Sequence, residues 1–259
     1  MHISITWPVI HGKELWRTIW FPTANIAYEG TSELDWVYRM TAILPQSFGP
    51  KKSSAIYSAV GTYRHDHRLL EAYILDFEWD LYDQQITIVL TEKLRNNEKF
   101  NNLDELVAQL NTDKARVSKQ PRIVMTFGTF DHTHNWHLTY LTAARIHGDH
   151  LITIIARNET VKKIKGNEPV LNETQRMKAV QNFHIPNHSV QFGDNKNVYQ
   201  CLDDREPKVV YLWYDQHSFD EGILAYCQEN NVLAPEIIRW TPHEPEKYKS
   251  SIIKKNLYT

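Results

Sequence analysis

The feature that most constrains the fold is a change of pattern near residues 116–122, RVSKQPR. Before it, short strand-like runs lie between turn residues, with one amphipathic helix-like stretch, LDELVAQL at 103–110. After it, strand-like and helix-like runs alternate. The first pattern predicts a small antiparallel β-barrel, and the second predicts a Rossmann-like α/β domain with a parallel sheet. We therefore expect two domains, residues 1–119 and 120–259.

The predicted elements are short in both halves of the chain. In the first half, the strands are expected at 3–10, 37–44, 54–61, 69–77 and 85–94. In the second half, strands are expected at 122–127, 151–156, 209–213 and 236–239, with helices at 137–147, 172–183 and 219–230. Strand and helix in alternation place the chemistry at the carboxyl ends of the parallel strands.

Composition narrows the classes of partner. The net charge is −2 and the basic residues are scattered, so no basic face for nucleic acid is expected. No apolar run reaches 18 residues and the first residues do not resemble a signal peptide, so we expect no membrane partner. Two cysteines fit a reducing cytoplasm better than a disulfide framework. The sequence leaves the oligomeric state open.

A histidine-rich turn, HTHNWH at 132–137, separates a predicted strand from a predicted helix. The first N–H groups of a helix attract anions, so this turn is a candidate phosphate site. His134 and His137 could stabilise charge that develops on a phosphate under attack. For an isolated pair of histidines, a simple surface position at a helix start would be the better interpretation.

The surrounding residues make the turn more specific. The stretch from GTFDHTHNWH to IARNETVKKIKG, with NETQRMKAV and YLWYDQ, resembles the nucleotidyltransferase superfamily and especially its archaeal-type FAD synthetases. The resemblance covers nearly all of residues 121–256. It implies an FMN adenylyltransferase in which His134 and His137 act on the triphosphate of ATP. It also implies further nucleotide- and phosphate-binding residues, namely Lys162, Lys165, Arg176, Asp215, Gln216, Ser250 and Ser251. Taken singly, the lysines fit a solvated charge run, and Arg176 fits a helix surface.

A second motif, WFPTAN at 20–25, lies in the first half of the chain. Thr23 and Asn25 supply two neutral oxygens suited to a hard cation, although a capped turn would explain them equally well. Together with LLEAYILDFEWDLYDQQITI and LRNNEKFNNLDELVAQLNTD, the motif resembles riboflavin kinase across residues 3–119. The resemblance implies that Thr23 and Asn25 hold Mg²⁺ and that Glu71 is the general base. A solvent-facing strand glutamate is the simpler alternative for Glu71.

The two resemblances imply one pathway: riboflavin is phosphorylated to FMN, and FMN is adenylylated to FAD. ATP is the co-substrate of both reactions, and the partners are small molecules. Two alternatives remain open. The second domain could be a cytidylyltransferase that acts on a small alcohol phosphate, or the chain could be a catalytically impaired flavin-binding regulator.

Tryptophans stand where the two families have glycine. Seven of the 8 tryptophans do so: Trp7, Trp16, Trp20, Trp36, Trp79, Trp136 and Trp213. Glycine is needed where φ is positive or where the backbone approaches a ligand closely. Random decay would also have changed motif residues such as Thr23 and Glu71, which are retained.

Some bacteria read UGA as glycine, and translation with UGA as tryptophan would write Trp at each such codon. The chain has 9 glycines in 259 residues, half the usual fraction of about 7%. We therefore hypothesise that these tryptophans are glycines in the natural protein; true tryptophans would favour the regulator.

Overall fold

A computed structural model describes residues 3–11, 23–45, 55–78, 80–216 and 218–241. The chain forms two compact units, one of residues 1–121 with 146–149 and one of residues 122–145 with 150–259. Within the described ranges, no helix is long and apolar enough to cross a bilayer.

The first unit is an antiparallel sheet that nearly closes into a barrel. Its strands are β1 (Ile3–Pro8), β2 (Ala24–Ala27), β3 (Trp36–Leu44), β4 (Ala55–Arg64), β5 (Leu69–Ile74) and β6 (Gln85–Asn96), in the order β1-β6-β3-β4-β5-β2. The two edges meet where the Ile10 N–H donates to the Asn25 carbonyl oxygen at 2.8 Å. Alternate residues, among them Ile26, Leu70 and Ile88, point inward and are fully buried. This arrangement confirms the predicted barrel-like fold.

Helix α1 (Leu103–Lys119) ends nine residues later than the amphipathic stretch indicated. The Asn102 side chain caps its start by accepting the Glu105 N–H at 2.9 Å. Farther along, Val117 is buried in a small cluster, and Asp113 pairs with Arg95 at 2.7 Å. These tertiary contacts stabilise the helix beyond residue 110, where the amphipathic sequence pattern ends. Two short 3-10 turns, Ser32–Leu34 and His65–His67, complete the unit.

The second unit is a parallel sheet with helices. Its strands are β7 (Ile123–Gly128), β8 (His150–Ile155), β9 (His188–Phe192), β10 (Val209–Leu212) and β11 (Glu236–Arg239), in the order β11-β10-β7-β8-β9. The helices are α2 (Asn135–Arg145), α3 (Asn158–Lys165), α4 (Glu173–Gln181), α5 (Cys201–Arg205) and α6 (Phe219–Glu229). From β7 the chain builds the sheet in one direction through β8 and β9 and then crosses to β10 on the other side. The carboxyl ends of β7 and β10 therefore form a topological switch point, where such sheets bind ligands.

Candidate active sites

A cavity of about 710 Å³ opens at this switch point. It is bounded by the segment after β7, the start of α2, helix α3 and the segment after β10. The predicted residues that line it are His134, His137, Lys165, Asp215 and Gln216. The structure thus brings together five residues that are up to 82 positions apart in sequence.

The two histidines are held by the backbone at the start of α2. The His134 N–H donates to His137 Nδ1 at 3.2 Å, and the Trp136 N–H donates to His134 Nδ1 at 3.3 Å. Because each Nδ1 accepts, we assign the proton of each neutral ring to Nε2. The ring centroids lie 4.2 Å apart. Each ring therefore carries its N–H at Nε2, and both histidines line the cavity.

Burial keeps both rings neutral at pH 7. Desolvation, reinforced by the neighbouring His134, lowers the pKa of His137 to about 3. Desolvation also lowers the pKa of His134 below its ordinary value. Neutral imidazoles can donate hydrogen bonds to a charged phosphate, which suits electrostatic stabilisation rather than proton transfer.

The turn between β7 and α2 has an unusual backbone. Phe130 and His132 have φ values of 52° and 55°, and a Cβ on Gly128 would lie 2.6 Å from the Phe130 ring. The buried Asp131 carboxylate then accepts the N–H groups of residues 170 and 171, both at 3.1 Å. The GTFD segment therefore fixes the loop after α3 against the histidine turn.

Arg176 lies outside the lining of the cavity and is fully buried. Four of the five N–H groups of its guanidinium have acceptors. They are the carbonyl oxygens of Leu171 (3.1 Å), Thr129 (2.6 Å) and Ala156 (2.8 Å) and the side-chain oxygen of Asn158 (2.7 Å). These contacts tie the segments after β7 and β8 to the start of α4. Arg176 thus braces these segments, and the phosphate contact implied by the resemblance stays a prediction.

The other predicted phosphate and nucleotide residues differ in their positions. Lys162 is exposed and pairs with Glu168 at 2.9 Å, and this hydrogen bond raises the pKa of Lys162. Lys165 lines the cavity. The Gln216 side chain accepts the N–H of residue 213 at 2.9 Å and donates to the carbonyl of residue 127 at 3.2 Å. It thereby links the ends of β10 and β7. Asp215 is exposed at the rim, and Ser250 and Ser251 lie outside the described residues.

A second candidate site lies in the first unit, on β2 and β5. Asn25 stands directly opposite Glu71 in the antiparallel register, and Thr62 stands opposite Glu71 on its other side, on β4. Since Ala24 and Ile26 point into the core, Asn25 and Glu71 share the outer face of the sheet. Side chains that face each other in this way have Cβ atoms about 5 Å apart.

The oxygens on this face fit a hard cation. Thr23 Oγ1 and Asn25 Oδ1 are buried and have no hydrogen-bond partner within the described residues. Buried acceptors are normally satisfied, so a ligand for both is expected. No group of three or more acidic, His or Cys side chains suited to a metal occurs in the described part. A Mg²⁺ ion held here would take its remaining ligands from phosphate and water.

Four of the seven tryptophans at family-glycine positions are described: Trp7, Trp36, Trp136 and Trp213. None of these four has a positive φ, so backbone strain gives no reason for glycine there. Trp136 and Trp213 line the cavity, where close approach of a ligand remains a reason. Trp16, Trp20 and Trp79 lie outside the described residues.

Comparison with known proteins relates each half of the chain to a known family. Residues 1–120 match the riboflavin kinase family, and residues 125–256 match the cytidylyltransferase-like family. The chain is 32% identical over 130 residues to the FAD synthase of Methanocella arvoryzae, covering 50% of this chain and 90% of that protein. It is 34% identical over 130 residues to the FAD synthase of Methanoregula boonei, covering 50% of this chain and 85% of that protein.

A solved structure, riboflavin kinase from Trypanosoma brucei, matches with a TM-score of 0.35 and 21% identity, covering 46% of this chain and 79% of that one. The chain belongs to the cytidylyltransferase-like family, as a relative of the FAD synthases that carries a riboflavin kinase domain in its N-terminal half.

Proposed function

We propose that the chain synthesises FAD from riboflavin in two steps. In the first, ATP phosphorylates riboflavin, which gives FMN and ADP. In the second, ATP adenylylates FMN, which gives FAD and pyrophosphate. The observation that carries the proposal is the pair of neutral imidazoles, His134 and His137, on the cavity of a chain whose relatives include FAD synthases.

In the kinase step, the ribityl hydroxyl of riboflavin must lose a proton as it attacks the γ-phosphorus of ATP. Glu71 is the proposed acceptor of that proton, because a carboxylate within hydrogen-bond reach can act as a general base. Thr23 and Asn25 are the proposed protein ligands of Mg²⁺, which neutralises charge on the ATP phosphates. The direct register of Asn25 with Glu71 supports these two roles, because it sets the proposed base opposite one of the proposed ligands.

In the transferase step, the phosphate of FMN is already an anionic nucleophile and needs no base. It attacks the α-phosphorus of ATP, and the bond to the departing pyrophosphate breaks. The Nε2–H groups of His134 and His137 stabilise the charge that builds up on the α-phosphate oxygens. Lys165 contributes positive charge at the same cavity.

We also propose that the reactions occur in the cytoplasm, which the two free cysteines, Cys201 and Cys227, support. The proposed partners are small molecules: riboflavin, FMN and ATP. Cytidylyl transfer to a small alcohol phosphate is the second candidate for the C-terminal part, because residues 125–256 match the cytidylyltransferase-like family.

The test is to incubate the purified protein with riboflavin, ATP and Mg²⁺ and to separate FMN from FAD by chromatography. A parallel reaction supplies FMN with either ATP or CTP. We expect FMN and FAD in the first reaction, and pyrophosphate release with ATP in the second. Transfer from CTP to an alcohol phosphate would support the cytidylyltransferase instead. Flavin binding without any product would support a regulator.

A further inference from the structure

One side of the cavity carries a large aliphatic side chain that is open to solvent. Ile164, on the last turn of α3, lines the cavity and is 70% exposed. Among the large hydrophobic residues that are exposed in the described part of the chain, only Ile164 lines the cavity. Pro169 lines the same side, and the neighbouring Val170 is 57% exposed. An exposed apolar surface of this kind beside a site indicates a ligand contact.

The loop on this side of the cavity is well fixed. Helix α3 is followed by Gly166, whose φ of 76° ends the helix and leads the chain into the loop. Farther along, the Asp131 carboxylate accepts the N–H groups of Val170 and Leu171. The same aspartate that precedes the histidine turn therefore fixes the two residues that directly follow Pro169.

The sheet order gives the cavity two sides. Strand β7, which leads to His134 and His137, lies between β10 and β8. The β10 side carries Asp215 and Gln216, which by family resemblance lie near the base of the nucleotide. The β8 side leads to α3 and Ile164. In the proposed reaction, the attacked phosphate of ATP lies at the histidines and its base lies on the β10 side. The β8 side is therefore available for the second substrate, FMN.

We propose that Ile164 and Pro169 form the subsite for the isoalloxazine ring of FMN. This inference rests on the proposed adenylyl transfer to FMN. The ring is large, flat and mostly apolar, which matches an exposed aliphatic surface. Its other edge carries carbonyl oxygens and an N–H, and the amide of Asn167, which also lines the cavity, can both donate to and accept from such groups. Lys165, adjacent to Ile164 in sequence, lines the cavity where phosphate is expected.

The test is the steady-state kinetics of FAD formation from supplied FMN and ATP, with Ile164→Ser as the variant. Loss of the aliphatic contact should raise the KM for FMN about tenfold and leave the KM for ATP unchanged. The matched control is Leu233→Ser, since Leu233 is 77% exposed and does not line this cavity. The control should leave both KM values unchanged. The unchanged KM for ATP reports that the second unit of each variant is folded.

Three results would overturn the subsite. They are an unchanged KM for FMN in Ile164→Ser, an equal rise in both variants, and a rise confined to the KM for ATP. The proposed function fails in a different way, because the unsubstituted protein would then form no FAD from FMN and ATP. The kinetics of the variants therefore test the subsite only once the unsubstituted protein has shown the transfer.

Discussion

Asn25 and Glu71 stand directly opposite each other on β2 and β5, although 46 positions separate them in sequence. The pairing places a buried amide oxygen that lacks a partner within the described residues beside a carboxylate. A cation ligand and a general base for phosphoryl transfer need this proximity. The antiparallel register of a four-residue strand therefore assembles the proposed kinase site.

The position of Glu71 depends on Gly61 of β4. A Cβ at residue 61 would lie 1.9 Å from the Glu71 carbonyl oxygen, a distance at which the backbone must move. We expect Gly61→Ala to displace β5, to destabilise the first unit by roughly 1–3 kcal/mol and to lower the rate of riboflavin phosphorylation. FAD formation from supplied FMN is the internal control and should persist. An unchanged phosphorylation rate would show that Glu71 tolerates the displacement.

Arg176→Lys distinguishes bracing from phosphate binding, because lysine keeps the charge but cannot satisfy four separate acceptors. If Arg176 is a brace, the free energy of unfolding measured with denaturant should fall by roughly 2–4 kcal/mol. If it mainly binds phosphate, the free energy of unfolding should stay near that of the unsubstituted protein while the KM for ATP rises. Lys162→Arg, at an exposed ion pair, should change neither quantity appreciably.

Sequence patterns predict the fold class and most strands but not every element. Strand β2 has only four residues, and its role depends on pairing with β5, which no local pattern reveals. Helix α3 has no clear signal in the sequence, because its eight residues are mostly polar and only Val161 is buried. Strand β9 lacks a run of apolar residues, and none of its five residues is fully buried.

The candidate sites are predictable only in part. The histidine turn lies in a stretch of sequence that resembles a known family, and that resemblance, rather than the two histidines by themselves, singles out His134 and His137. The bracing contacts of Arg176 and Gln216 depend on backbone atoms far away in sequence, and residue type alone does not reveal them. The exposure of Ile164, on α3, is likewise a property of the folded chain that its residue type does not predict.

The second unit should lose stability in mild acid. Burial, with His150 and Arg145 nearby, lowers the pKa of His188 to about 4, and burial lowers the pKa of His137 to about 3. Unfolded histidine titrates near 6.5, so between these values the unfolded state binds more protons. The free energy of unfolding should therefore fall as pH drops from about 6.5 towards 4, by up to about 1.4 kcal/mol per pH unit for each histidine.

The matched variant for this prediction is His188→Gln, which keeps a polar partner for Thr153 Oγ1, now 2.8 Å from His188 Nε2. Denaturant unfolding at pH 7 and pH 5 should show a smaller pH dependence in the variant. An identical pH dependence in both proteins would mean that desolvation does not keep His188 neutral in the folded protein.

The tryptophan hypothesis predicts the mass of the natural protein. Intact-protein mass spectrometry should give a mass lower than that of the sequence as written, by one Trp-to-Gly difference at each recoded position. If the indole is real, Trp136→Gly should raise the rate of adenylylation, because Trp136 lines the cavity beside the histidines. A natural mass equal to that of the written sequence would refute recoding.

The central claim is that two separate sites carry out consecutive reactions, and a crossed assay of two variants tests it most directly. Riboflavin with ATP, or FMN with ATP, is supplied to Glu71→Gln and to His137→Ala, and FMN and FAD are quantified by chromatography. We expect Glu71→Gln to make no FMN from riboflavin but to convert FMN to FAD at the normal rate. We expect His137→Ala to accumulate FMN from riboflavin while FAD formation slows by roughly a hundredfold to a thousandfold, with little change in ATP binding. Equal loss of both activities in either variant would contradict the two-site account.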